Sequence, residues 1–227
     1  MTDIERMKPL NHVGTKEIRT DRLLLRQFTR DDCEDVYVFC SNPEVVRFLS
    51  YRPHESVETV KNVLDMWVKS YENKAYYHWA IVFDNKVIGN IEAMNMEDDC
   101  FRCHFGWQLD IPYWNKGIMT EAARAVVDFL FGVVGFDRLQ SGCDTRNAGS
   151  YRVMEKIGMQ REALFRRYIY QKDGSIGDKY IYAIIKSDWE MNRSPRQRPR
   201  GIGSKGTPQR GGVFNQGVHN KKWTNLF

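Results

Sequence analysis

Between Phe101 and Cys143 the hydrophobic pattern changes period twice, and this restricts the fold more than any other feature of the chain. Phe101–Leu109 reads as a strand that stops before Asp110-Ile111-Pro112. Ile118, Ala122, Ala125, Val126 and Phe129 then recur at helical spacing, and Arg138–Cys143 reads as strand again. Strand, helix and strand in succession make a helical crossover, the connection that parallel strands need. Hairpins lie on either side of it. His78–Phe83 and Lys86–Ala93 flank the turn Asp84-Asn85, and Ala163–Gln171 and Asp178–Ile185 flank Lys172-Asp173-Gly174. A sheet fed by both kinds of connection is mixed.

The other elements follow from caps and periodicity. Arg22–Phe28 reads as a first strand. Thr29 opens a helix with Asp31 and Asp32 near its positive end, and Cys33, Val36, Tyr37 and Cys40 share one face of it. Asn42-Pro43 ends this helix, and a second begins near Ser56 with an apolar stripe of Val60, Val63, Leu64, Trp67 and Tyr71. Asn147 caps a short helix whose Val153, Met154 and Ile157 face inward, and Gly158 suits its end. The expected order is β-α-α-β-β-β-α-β-α-β-β.

Charge is unevenly distributed. The net of +5 includes eight basic residues from Arg193 onward, with no Asp or Glu after Glu190. The rest carries 26 basic against 29 acidic residues, a net of −3. The basic character therefore belongs to a tail and not to a nucleic-acid-binding domain. Pro, Gly, Arg, Ser and Gln dominate that tail, which is too poor in periodic apolar residues to offset chain entropy. No apolar run reaches the length of a bilayer crossing, and the first twenty residues hold no apolar signal core. With five cysteines, this points to reduced thiols in the cytoplasm and to no membrane partner.

The stretch Phe105-Gly106-Trp107-Gln108-Leu109-Asp110-Ile111-Pro112-Tyr113-Trp114-Asn115-Lys116-Gly117-Ile118-Met119-Thr120-Glu121-Ala122 resembles the acetyl-CoA-binding segment of GNAT N-acetyltransferases. It is most similar to the branch of ribosomal-protein N-terminal (serine/alanine) acetyltransferases. Arg22–Arg26, Asn147–Ser150 with Glu155–Met159, and Asp173-Gly174 agree in order and spacing. The resemblance implies the acyl-CoA N-acyltransferase fold, an α+β three-layer arrangement. Its sheet is mixed, mostly antiparallel, splayed at the cofactor site and flanked by helices. It covers about 20–190, giving an irregular segment at 1–20, the acetyltransferase domain at 21–190 and the basic, disordered tail at 191–227. The family's loop reads Arg/Gln-x-x-Gly-x-Gly/Ala. Here one glycine, Gly117, is kept, Trp114 replaces the leading residue and Met119 the second small one.

The implied activity is transfer of acetyl from acetyl-CoA to a primary amine, a protein N-terminus or a small molecule, by direct attack in a ternary complex. A loop entering a helix N-terminus offers free N–H groups and positive potential to a pyrophosphate. The residues carried over for this are Asn115, Lys116, Gly117, Ile118, Met119 and Thr120. Trp107, Gln108 and Leu109 are the strand beside which pantetheine would pair, with an N–H for the thioester oxyanion. Asn147 would hold the pantetheine arm. The family's usual acid, a Tyr, is replaced by Met154, so the resemblance passes the role to Ser150, which also suits a first-turn capping residue. Glu92 is the candidate base, or else a solvated strand residue. His54 lies where the branch has a substrate-covering loop. Homodimers are common in that branch.

Cys100-Phe101-Arg102-Cys103-His104 matches the c-type haem attachment pattern, but residues three apart on a strand point to opposite faces. Local spacing supplies no fourth zinc ligand either, so no metal site is expected. The rival reading is a catalytically degenerate GNAT that binds CoA, with the basic tail touching RNA or the ribosome.

Overall fold

The computed structural model describes residues 8–193. Its strands are β1 (Ile18–Arg19), β2 (Leu24–Arg26), β3 (Tyr77–Phe83), β4 (Lys86–Glu97), β5 (Arg102–Leu109), β6 (Arg138–Asp144), β7 (Gln160–Tyr170) and β8 (Ile176–Ile185). Its helices are α1 (Cys33–Cys40), α2 (Val57–Ser70), α3 (Ile118–Phe129), α4 (Ala148–Lys156) and α5 (Lys186–Arg193). One sheet of eight strands runs in the order β1-β2-β3-β4-β5-β6-β8-β7. Every pairing is antiparallel except β5–β6, the pair joined through α3. The mixed sheet is as expected, and so is the element order from β2 to β8; β1, inside the segment expected to be irregular, and α5 are additions to it.

Local chemistry explains the boundaries. Asp84 and Asn85 both take left-handed backbone (φ 48° and 60°), the conformation that matches a two-residue hairpin to strand twist. Ser56 caps α2 by accepting from the Thr59 N–H at 3.2 Å. After Phe129 the helix widens, Gly135 N–H reaches Leu130 O at 3.0 Å, and Gly135 at φ 96° ends it.

The two faces of the sheet bury separate cores. α3 and α4 cover one, built on Trp79, Ile81, Ile91, Phe105, Ala122, Val126 and Leu139. α1 and α2 cover the other, with Phe28, Val36, Phe39, Val60, Leu64, Ala80 and Val87. Each large side chain taken fully out of water here contributes roughly 1.5–3 kcal/mol.

Three features differ from the sequence expectations. Residues 8–17 are irregular but tied down, since Gly14 N–H donates to Lys74 O (2.7 Å), Thr15 Oγ1 to Tyr76 O (2.9 Å) and Trp79 Nε1 to Lys16 O (2.7 Å). Cys100 belongs to a 3-10 turn at Asp98–Cys100, and β5 starts only at Arg102, because Phe101 turns left-handed (φ 52°). α5 was unexpected because its sequence is polar. Trp189 anchors it, packing on Phe131 at 5.4 Å and donating to Asp128 Oδ1 at 2.6 Å, with Lys186 N–H donating to Asp137 O at 2.8 Å at its start. The tail from residue 194, with its expected disorder and RNA contact, lies outside the described residues, as do residues 1–7. No helix among the described residues is long and apolar enough to cross a membrane.

Candidate active site

The strands part where the sequence places the candidate cofactor residues. The β5–β6 ladder covers only Arg102–His104 against Arg138–Gln140, after which the two strands have no shared register. On the far side β5 stays paired with β4 from His104 to Leu109. Asp110 N–H donates to Ile88 O at 2.8 Å. Backbone groups alternate sides along an antiparallel ladder, so Gly106 and Gln108 also bond toward β4. Trp107 and Leu109 therefore turn their N–H and C=O groups into the opening. One of these is taken: Trp114 Nε1 donates to Leu109 O at 2.6 Å. Trp114, standing where the family pattern has a basic residue, ties the loop to the end of β5. The side chains of Trp107 and Leu109 pack into the α3-side core.

The loop into α3 follows directly. Asn115 (φ 60°) and Gly117 (φ 76°) both take left-handed backbone, and Gly117 is the N-cap of α3. Asn115, Lys116 and Gly117 are exposed, whereas Ile118, Met119 and Thr120 are buried at the start of the helix. Met119 thus serves the core, and only its backbone faces the loop. Arg22 braces this corner. Its guanidinium donates to Glu121 Oε2 (2.7 Å) and to Lys116 O (3.1 Å), and Thr20 Oγ1 donates to Glu121 Oε1 (2.6 Å). The Arg22–Glu121 pair neutralises a carboxylate in the first turn of a helix whose N–H groups suit a pyrophosphate.

Across β6, Asn147 caps α4 as expected, accepting from Ser150 N–H at 3.1 Å. The Ser150 hydroxyl lies beside the Cys143 thiol. Burial pushes that thiol up, to about 11, against the lowering effect of this hydrogen bond. Met154, at the usual Tyr position, is buried in the core.

The opposite face gathers Glu92, Gln108 and His54, which the sequence singled out, with His78, Asn90, Tyr51 and Tyr76, to which it gave no role. His78 is opposite Glu92, which is opposite Gly106, and Ala80, Asn90 and Gln108 form the next row. Residues directly opposite share a face, so Glu92, Asn90, His78 and Gln108 all lie beneath α1 and α2. Gln108 is buried, accepts from Tyr51 Oη at 2.5 Å and donates to Cys40 Sγ at 3.6 Å. Asn90 Nδ2 lies 2.7 Å from His78 Nε2, and Tyr76 Oη lies 3.1 Å from His78 Nδ1. An Asn90 amide donating to Nε2 makes Nδ1–H the tautomer. Burial holds the His78 imidazole down, to about 3, so it stays neutral in use. His54 stacks on Tyr51 at 5.3 Å, and burial lowers it too.

Glu92 is different. Burial raises its carboxyl above the ordinary glutamate value, and among the described residues no hydrogen bond or ion pair reaches it. No buried side-chain oxygen among these residues lacks a partner, so the Glu92 oxygens still meet water. Tyr51, Tyr71 and Tyr76 feel its charge. Glu92 and Ser150 thus stand on opposite faces of the sheet with the β5–β6 opening between them. Periodicity could not find Tyr51, which sits on a loop, and His54 was reached only through the family resemblance; the pairing of His78 with Asn90 and Glu92 across a hairpin was available.

The haem-like residues do not assemble a site. Cys103 is buried, Cys100 is exposed, and no group of three or more metal-ligating side chains occurs among the described residues.

A family model described as an acetyltransferase (GNAT) domain matches residues 22–160. The N-acetyltransferase YoaA of Bacillus subtilis (strain 168) is 32% identical over 171 residues, covering 74% of this chain and 96% of YoaA. The crystal structure of a GNAT-family acetyltransferase from Bacillus anthracis has a TM-score of 0.68 at 29% identity, over 76% of this chain and 99% of that one. Two more distant structures share the fold. The ribosomal-protein-S5-alanine acetyltransferase from Vibrio fischeri has a TM-score of 0.68 at 22% identity, over 77% and 98% of the chains. The microcin C7 self-immunity acetyltransferase MccE, in complex with acetyl-CoA and AMP, has a TM-score of 0.66 at 15% identity, over 73% and 93%.

Proposed function

Because this chain belongs to the GNAT acetyltransferase family, we propose that it moves the acetyl group of acetyl-CoA to a primary amine by direct attack in a ternary complex. The observation that carries this reading is the opening between β5 and β6, with an unpaired carboxylate on one face and a serine hydroxyl on the other. The degenerate-binder alternative gives no role to either of these groups.

Acetyl-CoA supplies the activated thioester. The backbone of Trp107 and Leu109 offers an extended partner to a pantetheine arm, and Asn147 borders the same opening. The N–H groups from Gly117 to Thr120 face the pyrophosphate, with Lys116 adding charge from the exposed loop. Glu92 takes the proton of the attacking ammonium through water. Its raised affinity for protons brings it closer to the amine it must deprotonate, as general-base catalysis requires. An odd-numbered N–H of β5 donates to the carbonyl oxygen as charge develops there. The Ser150 O–H returns a proton to the departing thiolate.

The acceptor enters from the α1–α2 face, the side of Glu92, Tyr51 and His54. The chain acts in the cytoplasm, which suits five cysteines that are all free, four of them (Cys33, Cys40, Cys103 and Cys143) with thiols pushed up by burial. Exposed Leu164, Phe165, Tyr168 and Tyr170 on the edge strand β7 support a homodimer.

Thiol release from acetyl-CoA across a panel of amines and N-terminal peptides tests the function. Turnover on one acceptor, with Ser150→Ala lowering kcat while acetyl-CoA affinity holds, is the expected result. Absence of acetyl-CoA binding by calorimetry would overturn it.

A further inference from the structure

A second cavity, of about 250 Å³, opens beside the acceptor face. Its walls come from three separate parts of the chain. Arg47, Phe48 and Pro53 belong to the α1–α2 loop, Arg146 follows β6, and Gln171 and Lys172 start the β7–β8 turn. Lys172 Nζ donates to Val46 O at 2.5 Å and fastens turn to loop. The Arg146 guanidinium is held 5.9 Å over the Phe48 ring.

The charges in this cavity do not cancel. Arg146 is occupied by Asp144, with Nε 2.9 Å from Oδ1 and a second bond at 3.1 Å, and Gln171 also donates to Asp144. Arg47 reaches Glu44 at 3.4 Å on the exposed rim. Asp173, the remaining acid of the wall, accepts from Ser175 N–H at 2.8 Å and sets its charge against Arg146, which leaves Lys172. Lys172 has no carboxylate within ion-pair distance among the described residues, and the cation whose field it feels is Arg52, beside Pro53. Arg52 also has no hydrogen bond or ion pair among them. Two cations set against each other without a counter-charge cost free energy unless an anion joins them.

The cavity is also close to the chemistry. Pro53 is two residues from Tyr51, at most about 7 Å along the backbone, and the length of the Tyr51 side chain then separates that backbone from Gln108 in the cleft. Arg146 directly precedes Asn147, the cap of α4. We propose that the cavity binds the anionic group, a carboxylate or phosphate, of the same acceptor whose amine enters the cleft. The substrate class is therefore an amine that also bears an anion on a short chain. Its volume suits such an end group better than a whole drug-sized ligand, for which pockets run from about 300 Å³ upward. This rests on the acetyl-transfer reading for the amine, though not for the anion.

The test uses the full chain and three matched probes of graded chain length: ω-aminoalkanoates, their carboxamides, and ω-aminoalkyl phosphates. Binding is followed by calorimetry and transfer by thiol release from acetyl-CoA. The expected result is tighter binding and higher kcat/KM for one anionic series over the carboxamides, by about tenfold, the value of one hydrogen bond to a charged group. The better of the two anionic series identifies the anion. Arg52→Gln should remove that preference and leave carboxamide turnover unchanged; Lys172→Gln should remove it as well, while Lys172→Arg keeps it. Arg52 makes no hydrogen bond or ion pair among the described residues, so its variant controls for loss of the Lys172 tether.

Anion preference in binding without thiol release from any amine would keep the subsite and remove the transfer reading. Thiol release with no anion preference, or with equal losses for charged and neutral probes in both Gln variants, would overturn the subsite and keep the transfer. Binding of none of the probes would also overturn it.

Discussion

Replacing Glu92 with Gln should cost the enzyme its rate and repay it in stability, with a sign set by pH. Burial raises the Glu92 carboxyl, and no donor compensates for it. A group whose folded pKa lies above its unfolded value contributes stability below the unfolded pKa and loses it as pH rises through the folded one. Ionised Glu92 is therefore a burden at neutral pH and neutral Glu92 is not. The size follows from leaving a mostly buried polar group without a partner, about 1–3 kcal/mol, with the low end appropriate because its oxygens still meet water. Urea unfolding of both proteins between about pH 4 and pH 8 reads the effect. The wild type should lose about 1 kcal/mol relative to Glu92→Gln across that range. Taking the change with pH cancels whatever the amide itself costs. In parallel kcat should fall by about 10²–10⁴, the usual worth of a general base. A stability difference that stays flat with pH, or that grows in favour of the wild type at high pH, would refute the burial argument whatever the kinetics show.

Three other perturbations probe the frame around the opening. Gly89→Ala would set a Cβ 3.0 Å from Leu109 Cα, with the Gln108 carbonyl nearer still, and so push β5 away from β4. Melting should report a loss of about 1–3 kcal/mol, and kcat/KM should drop by about 100-fold as the strand shifts. Arg22→Ala frees both Glu121 and the Lys116 carbonyl, so calorimetry should give several-fold weaker acetyl-CoA binding with kcat at saturation retained. Gly117→Ala forces a Cβ into left-handed backbone at φ 76°, a cost of about 1–2 kcal/mol visible in thermal unfolding.

The sheet was legible because its causes are local. Asp84-Asn85 dictates a tight hairpin, Asn147 caps the helix it was expected to cap, a helix starts beside Ser56 as expected, and the strand–helix–strand period from Phe101 to Cys143 dictates a parallel pair. What was not legible depended on long-range contacts. α5 is anchored by Trp189 on Phe131, and residues 8–17 are held by hydrogen bonds to strands more than sixty positions away, such as Trp79 Nε1 to Lys16 O. Neither leaves a periodic trace.

The same distinction divides the candidate site in two. The cofactor half is made of backbone: strands that part after His104, a left-handed Gly117 and the free N–H groups of a helix start. On the proposed reading such a site tolerates Trp114 and Met119 in place of the usual residues, because backbone groups and not these side chains would meet the ligand. It can therefore be found from spacing even when the motif has drifted. The acceptor half is made of side chains gathered from several elements: Tyr51 and Lys172 from loops, Cys40 from α1, and His78, Glu92 and Gln108 from three strands. No spacing rule links those positions, and each is an unremarkable polar residue until the fold brings them together. On the proposed reading, acceptor choice in this chain lies in the tertiary arrangement of the α1–α2 loop and the β7–β8 turn. Exchanging those two segments together, with β5 and α3 untouched, is the change that should alter what is acetylated without altering how acetyl-CoA is held.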